Sequence, residues 1–166
     1  MDKGFRNLGE IMVSDKILRE VEYSSSTISK VHNFKIKGGD SIKLTVPPTV
    51  YPPRRDTELF LKGLNCIKMQ TGHLVEIGCG SGAISIAMAL GGWNVTAFDV
   101  NPLAVVATIG NSEVAGVDDC VTVEEGGVGG ENWKLPKDAD LVVWNLPYLA
   151  PDLESMLGPM EEATMT

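Results

Sequence analysis

Alternating apolar and polar residues predict a β-hairpin in the first third of the chain. Residues 29–37 and 41–46 both alternate in this way, and the sequence Gly38-Gly39-Asp40 separates them. A period of two residues places one row of side chains on a buried face, and glycine beside aspartate is typical of a tight turn. We therefore expect two antiparallel strands here, ahead of the rest of the fold.

Four apolar runs further along the chain predict strands of a buried sheet. They lie within residues 73–77, 93–100, 121–124 and 140–144. Helical segments separate the first three: residues 81–90, and then a helix that Asn101 caps, Pro102 begins and Gly116 ends. Strands that alternate with helices imply an α/β fold, with a parallel sheet and helices on both faces.

The first of these strands runs directly into a glycine-rich turn, HLVEIGCGSG. Glycine lets the backbone turn sharply and lets a ligand lie against it without a Cβ atom in the way. The dinucleotide pattern G-x-G-x-x-G/A is met by Gly78, Gly80 and Ala83. The S-adenosyl-L-methionine (SAM) pattern E/D-x-G-x-G-x-G is met by Glu76, Gly78, Gly80 and Gly82. The turn alone leaves both ligand classes open.

A carboxylate stands at the end of the second strand of this sheet. Asp99 ends the apolar run, and Val100 follows it. A carboxylate at this position can accept hydrogen bonds from both ribose hydroxyls of an adenosine. Both ligand classes contain adenosine, so Asp99 is a candidate ligand-binding residue in either.

Two further motifs separate the two classes. The strand at residues 140–144 runs straight into Asn145-Leu146-Pro147-Tyr148, which hydride transfer does not need. It closely resembles the N-P-P-Y signature of SAM-dependent methyltransferases that act on amide or exocyclic amino nitrogens. Upstream, residues 53–58 read PRRDTE, which resembles the PRxDTE element of the release-factor glutamine methyltransferases. The preceding Val50-Tyr51 is similar to the archaeal and eukaryotic branch of that family.

This resemblance implies a class I SAM-methyltransferase fold, which is Rossmann-like, with SAM as the cofactor. It implies that residues 53–58 lie over the methionine end of SAM, and Asp56 or Thr57 is also expected to cap the helix that follows. The cofactor-binding residues expected from it are Asp56, Thr57, Glu76, Gly78, Cys79, Gly80, Gly82, Asp99 and Val100.

The resemblance also implies an acceptor site and partners. Asn145, Leu146, Pro147 and Tyr148 are the expected catalytic residues, although Leu146 stands where the family has proline. The implied reaction is methylation of the glutamine side-chain amide of a Gly-Gly-Gln motif in a translation release factor. The implied partner is a small zinc-binding activator protein.

Charge is distributed unevenly along the chain and bears on the choice of acceptor. Up to Lys68 there are 12 Lys and Arg residues against 8 Asp and Glu, and beyond it 2 against 14, for a net charge of -8. An acidic body disfavours broad contact with nucleic-acid phosphates. Methylation of an exocyclic amino group of a base in RNA or DNA is therefore the second hypothesis. Arg54 and Arg55 would supply the basic surface that a nucleic-acid substrate needs.

Cysteine, histidine and hydrophobicity exclude some other classes. The thiols of Cys66, Cys79 and Cys120 form no C-x-x-C motif, and His32 and His73 are the two histidines, so neither disulfides nor a metal site is expected. The sequence has no apolar run long enough for a membrane span and no signal-peptide core near its start. We expect a cytoplasmic protein.

Two expectations concern the organisation of the chain. Residues 1–49 are expected to form an N-terminal segment with the hairpin, and residues 50–166 the SAM-binding methyltransferase domain. The family's sheet has seven strands and this sequence accounts for four, so the last three are expected to be missing and the chain to be truncated. A fragment that binds SAM or a partner without turnover is thus a third hypothesis, and a dinucleotide oxidoreductase a distant fourth.

Overall fold

The computed structural model describes residues 28–130 and 133–145, so Leu146, Pro147 and Tyr148 lie outside the described residues. Six strands and three α-helices are described: β1 Lys30–Lys35, β2 Ser41–Val46, α1 Arg55–Leu64, β3 His73–Ile77, α2 Ala83–Leu90, β4 Asn94–Asp99, α3 Pro102–Ala115, β5 Val121–Glu125 and β6 Leu141–Trp144. None of these helices is long and apolar enough to cross a bilayer.

The predicted hairpin is confirmed. β1 and β2 pair antiparallel from Lys30 opposite Val46 to Lys35 opposite Ser41, and a short 3-10 turn, Lys37–Gly39, joins them. Its inward side chains are Phe34, Ile42, Leu44 and Val46, all of them buried in the main core. The alternation in the sequence therefore reports the face that packs on the rest of the molecule.

The other four strands form a parallel sheet in the order β5-β4-β3-β6. The connections through α2 and α3 move outward from β3 in one direction, whereas β6 pairs with the opposite edge of β3. The strand order thus reverses between β3 and β6, and open α/β sheets bind ligands at the carboxyl ends of strands beside such a reversal. The predicted parallel α/β fold is confirmed.

The two faces of this sheet are covered differently in the described residues. Buried side chains of α1, α2 and α3 all contribute to the main core. On the opposite face, Val75, Ile77 and Phe98 form a smaller cluster, against which Trp133 and Ala139 pack. The connection between β5 and β6 therefore covers this face where a helix was expected, and no helix lies there within the described part of the chain.

Asn111 of α3 joins the hairpin to the rest of the molecule. Its Oδ1 accepts from the Thr45 N–H at 2.8 Å, and its Nδ2 donates to the carbonyls of Thr45 at 3.0 Å and Ser81 at 2.9 Å. The side chain is 3 % exposed, so these bonds satisfy polar groups that water does not reach. The division at residue 49 stays a prediction.

The ends of α3 are as predicted from the sequence, whereas the start of α1 is not. Asn101 caps α3 and Gly116 ends it with a φ of 69°, both as predicted. The prediction that Asp56 or Thr57 is the N-cap of α1 is wrong, because Arg54 holds that position in an extended conformation. The Pro52-Pro53 pair keeps the chain extended up to Arg54, and the Thr57 hydroxyl instead accepts from the Arg54 N–H at 3.3 Å.

Candidate cofactor and acceptor site

The predicted site residues converge where the strand order reverses. The glycine turn follows β3, Asp99 ends β4, and Asn145 follows β6. Ile77 lies opposite Trp144 in the register of β3 and β6, so the glycine turn and Asn145 leave the sheet at the same level. Asn145 is half-buried, and the positions of Leu146, Pro147 and Tyr148 are outside the described residues.

The three glycines of the turn have backbone conformations that favour glycine. Gly78, Gly80 and Gly82 have φ values of 76°, 58° and 80°. A Cβ atom on Gly82 would lie 2.8 Å from Cγ2 of Thr108, which is a clash. A Cβ atom on Gly80 would lie 3.8 Å from the carbonyl oxygen of Tyr51. The backbone conformation of the tight turn therefore favours glycine at these positions, in addition to any room that glycine leaves for a ligand.

Asp99 holds this turn in place. One carboxylate oxygen accepts from the Gly80 N–H at 2.8 Å, and the other accepts from the Asn101 N–H at 2.9 Å. The side chain is 9 % exposed, and burial raises the pKa of its carboxyl while the backbone hydrogen bonds oppose that rise. Each carboxylate oxygen can accept a further hydrogen bond, so the arrangement fits two ribose hydroxyls. This role of Asp99 in holding the turn was not predicted from the sequence, because Gly80 lies 19 positions away.

Glu76 lies beneath the turn and contacts helix α2. It is 3 % exposed, and it accepts hydrogen bonds from both the hydroxyl and the backbone N–H of Ser85. Burial raises the pKa of Glu76 to about 8, and the charge of Asp99 acts in the same direction. Glu76 is therefore mostly protonated at neutral pH, and it joins β3 to the first turns of α2.

Cys79 and Val100 have opposite exposures. Cys79 is 5 % exposed, and the Thr108 hydroxyl lies 3.4 Å from its sulfur. Burial raises the pKa of this thiol well above its usual value, so the sulfur acts as a small apolar group. Val100 is 55 % exposed, which leaves an apolar surface beside Asp99 for a ligand.

Asp56 and Thr57 lie in the first turn of α1, close in sequence to a segment that lies beside the glycine turn. Thr57 is buried and its hydroxyl bonds to Arg54, whereas Asp56 is half-buried. The carbonyl oxygen of Tyr51 lies beside Gly80, 3.8 Å from the position that a Cβ atom there would take. The arrangement therefore brings together the glycines, Asp99 and Tyr51, with Asp56 and Thr57 further along the same segment.

Trp133 is a residue of this region that the sequence analysis did not single out. It packs edge-on against Phe98, with ring centroids 5.5 Å apart and an interplanar angle of 84°. Together with Glu124 and Glu125 it lines a cavity of about 410 Å³ at the end of β5. The available signal was an aromatic residue just after a glycine-rich loop at a strand end. Among the described residues no cluster of three metal-ligating side chains occurs.

Glycine at position 82 can be tested against a matched site. We expect Gly82→Ala to lower the free energy of unfolding more than Gly116→Ala, by about 2 kcal/mol, because both have positive φ but only Gly82 faces Thr108. Urea denaturation measures both changes. Adding Thr108→Ser, which removes Cγ2, should recover part of the loss. Equal losses at the two positions would contradict the close approach.

The buried Glu76 predicts a pH dependence of stability. Its pKa is about 8 when folded and 4.5 in its ordinary state, so unfolding releases a proton between these values and stability falls as pH rises through that window. Glu76→Gln removes the titrating group and should therefore reduce the loss of stability with rising pH. At pH 8.5 the variant should be more stable than wild type by a few kcal/mol, since one pKa unit corresponds to about 1.4 kcal/mol.

The measurement is urea denaturation at pH 5.5, 7 and 8.5. Asp99, whose pKa burial also raises, is present in both proteins, so part of the fall is expected to remain in Glu76→Gln. Glu113→Gln on the exposed face of α3 is the matched control and should leave the pH dependence unchanged. The same pH dependence in Glu76→Gln as in wild type rules out the raised pKa.

A family model and two relatives are similar to this chain in sequence. A family model described as ribosomal protein L11 methyltransferase (PrmA) matches residues 55–165. A release factor glutamine methyltransferase of Fusobacterium nucleatum is 36% identical over 115 residues, which are 64% of this chain and 31% of that protein. A ribosomal protein L11 methyltransferase of Gloeobacter violaceus is 32% identical over 107 residues, 62% of this chain and 33% of the relative.

Solved structures agree at the level of the fold. TYW2 of P. horikoshii, solved in complex with MeSAdo, has a TM-score of 0.55 at 17% identity and covers 70% of this chain and 42% of its own. The chain spans about a third of the length of the two curated relatives named above. The prediction of a SAM-dependent methyltransferase is confirmed at the level of the family, and the release-factor branch stays a prediction. Since the family match extends over most of the sequence, the chain belongs to the ribosomal protein L11 methyltransferase (PrmA) family.

Proposed function

We propose that this protein binds SAM and methylates the side-chain amide nitrogen of a glutamine in the Gly-Gly-Gln motif of a translation release factor. The observation that carries the proposal is the position of Asn145, directly after β6 and level with the glycine turn after β3. The similarity to a release factor glutamine methyltransferase supports the same acceptor.

The cofactor would be held by the turn and by β4. When bound, SAM would supply an electrophilic methyl group on a sulfonium for transfer to the nitrogen, and the methylated nitrogen would lose its proton to water. Gly78, Gly80 and Gly82 let the backbone approach the cofactor closely, and Asp99 offers its remaining acceptor capacity to the ribose hydroxyls. Val100 presents an exposed apolar side chain next to Asp99. These residues bind and orient, and they take no part in bond making.

The acceptor residues would raise the reactivity of a poor nucleophile. An amide nitrogen is weakly nucleophilic because its lone pair is delocalised into the carbonyl group. The Asn145 side-chain oxygen and the Leu146 carbonyl would each accept a hydrogen bond from one N–H of the substrate amide, which orients the lone pair and favours a pyramidal transition state. Tyr148 would stack on the flat amide and Pro147 would stiffen the loop. Leucine at position 146 keeps the carbonyl acceptor and gives up some of the rigidity that proline provides.

Other acceptors follow from specific observations. The family match favours ribosomal protein L11 as a second candidate substrate. The same Asn-x-Pro-Tyr geometry can hold a flipped base, which keeps an exocyclic amino group of RNA or DNA as an alternative. The strongly acidic sequence beyond Lys68 disfavours nucleic acid, because few cations there can neutralise phosphates. Binding of SAM without turnover is the non-enzymatic alternative.

The proposed function also implies a location in the cell and a partner protein. A translation factor is a cytoplasmic substrate, so the protein would act in the cytoplasm. By resemblance to the archaeal and eukaryotic branch, a small zinc-binding activator protein would be its partner. Co-purification of such a protein with the full chain would support this part.

Methyl transfer from labelled SAM tests the acceptor. We expect label in a release factor carrying Gly-Gly-Gln, and none after its glutamine is replaced by alanine. Asn145→Ala should lower the rate of methyl transfer on the order of 100-fold and leave SAM binding unchanged, because the Asn145 side-chain oxygen would contact the methyl acceptor and not the cofactor. Ribosomal protein L11 and an oligonucleotide are assayed in parallel.

The control is Asn94→Ala, the same substitution at the opposite end of the sheet, which should leave the rate unchanged. Label in L11 or in the oligonucleotide, with none in the release factor, replaces the proposed substrate by that acceptor. SAM binding with no transfer to any of the three favours the non-catalytic alternative.

A further inference from the structure

The connection between β2 and α1 lies beside the glycine turn and accepts a hydrogen bond from the buried side chain of Asn101. This connection, residues 47–54, is called the strap below. Its Val50 is 2 % exposed, and the carbonyl of Tyr51 lies 3.8 Å from the position that a Cβ of Gly80 would take. A side chain at position 80 would therefore meet the strap, so the strap lies beside the turn whose Gly80 N–H is bound to Asp99.

Asn101 links three parts of this region at once. Its backbone N–H donates to Asp99, and its Oδ1 accepts from the Leu103 N–H at 2.9 Å, which caps α3. Its Nδ2 donates to the carbonyl of Thr49 in the strap at 3.0 Å and lies 3.4 Å from the Thr49 hydroxyl. The side chain is 5 % exposed, so the hydrogen bond to the strap satisfies an amide group that water does not reach in this arrangement.

The strap has an unusual backbone at the point where Asn101 holds it. Thr49 has a φ of 66°, in the left-handed region that β-branched residues rarely adopt. Such a conformation persists where the surroundings hold it. Immediately after Thr49, the Val50 N–H donates to the Pro47 carbonyl at 3.3 Å, which closes a tight turn. The hydrogen bond from Asn101 is thus placed at the strained residue of the strap.

We propose that Asn101 is a positioning residue that keeps the strap against the glycine turn and so preorganises the SAM site before SAM binds. Asp99 connects to the turn through Gly80 and to Asn101 through its other oxygen, and Asn101 connects to the strap. A ligand that contacts Asp99 and the turn then meets a strap already in position. This inference rests on the SAM-binding part of the proposed function and not on the identity of the acceptor.

Asn101→Ser separates the strap contact from the helix cap. Serine is an N-cap residue about as good as asparagine, but its short side chain lacks the amide that reaches Thr49. We expect faster amide hydrogen exchange at Val50 and Tyr51 and unchanged exchange in the first turn of α3. We also expect SAM affinity to fall about tenfold, which corresponds to the loss of one hydrogen bond.

Asn101→Asp is the second variant, because aspartate also caps helices well and cannot donate to the Thr49 carbonyl. It should give the same change in exchange. Asn33→Ser, at an exposed position of β1, is the matched control and should change neither measurement.

The outcomes separate this inference from the proposed function. Unchanged exchange at Val50 and Tyr51 in both variants overturns the strap contact. Faster exchange with unchanged SAM affinity overturns the preorganisation, and faster exchange in α3 as well assigns Asn101 a capping role only. If the wild-type protein binds no SAM, the proposed function fails, while the exchange measurement still decides whether Asn101 holds the strap.

Discussion

The carboxylate of Asp99 is the contact on which the arrangement of the site depends. One oxygen fixes the Gly80 N–H of the turn after β3, and the other fixes the Asn101 N–H at the start of α3. Both contacts are short and the group is nearly buried, so the low local dielectric strengthens them. The carboxylate thereby joins the ends of two neighbouring strands, and it keeps acceptor capacity for a ligand.

The fold explains why the site residues meet. Two helical connections carry the chain outward from β3 to β4 and β5, and the next connection returns across the sheet to the other edge of β3. The returning connection covers the second face with Trp133 and Ala139 and delivers β6 beside β3. Asn145 therefore emerges next to the glycine turn, although 63 positions separate it from Gly82 in the sequence.

Features that follow from local chemistry could be predicted from the sequence. Continuous apolar runs gave the four parallel strands, and the Asn101, Pro102 and Gly116 signals gave both ends of α3. The cap of α1 could not be read in the same way, because the two prolines keep the chain extended only as far as Arg54, and the helix begins at Arg55, ahead of Asp56 and Thr57.

Features that depend on distant partners could not be predicted. Asn111 looks like an ordinary polar residue within α3, and its bonds to Thr45 span 66 positions. Glu76 was expected to face the cofactor because it opens the SAM pattern, yet its carboxyl contacts Ser85 in the core. The alternation of β3 offered a partial signal, since Val75 and Ile77 point to one face and Glu76 must point to the other. The position of the strap could not be predicted either, because it depends on a hydrogen bond between Thr49 and Asn101, which are 52 positions apart in the sequence.

Calorimetric titration of the wild-type protein and Asp99→Asn with SAM, and of the wild type with NAD, tests the central claim most directly. Asparagine keeps one acceptor oxygen and replaces the other by a donor, so it should disrupt one of the two backbone contacts. We expect the wild type to bind SAM and not NAD, and Asp99→Asn to bind SAM at least about tenfold more weakly. Equal SAM affinity in the two proteins, or binding of NAD in place of SAM, would contradict the account.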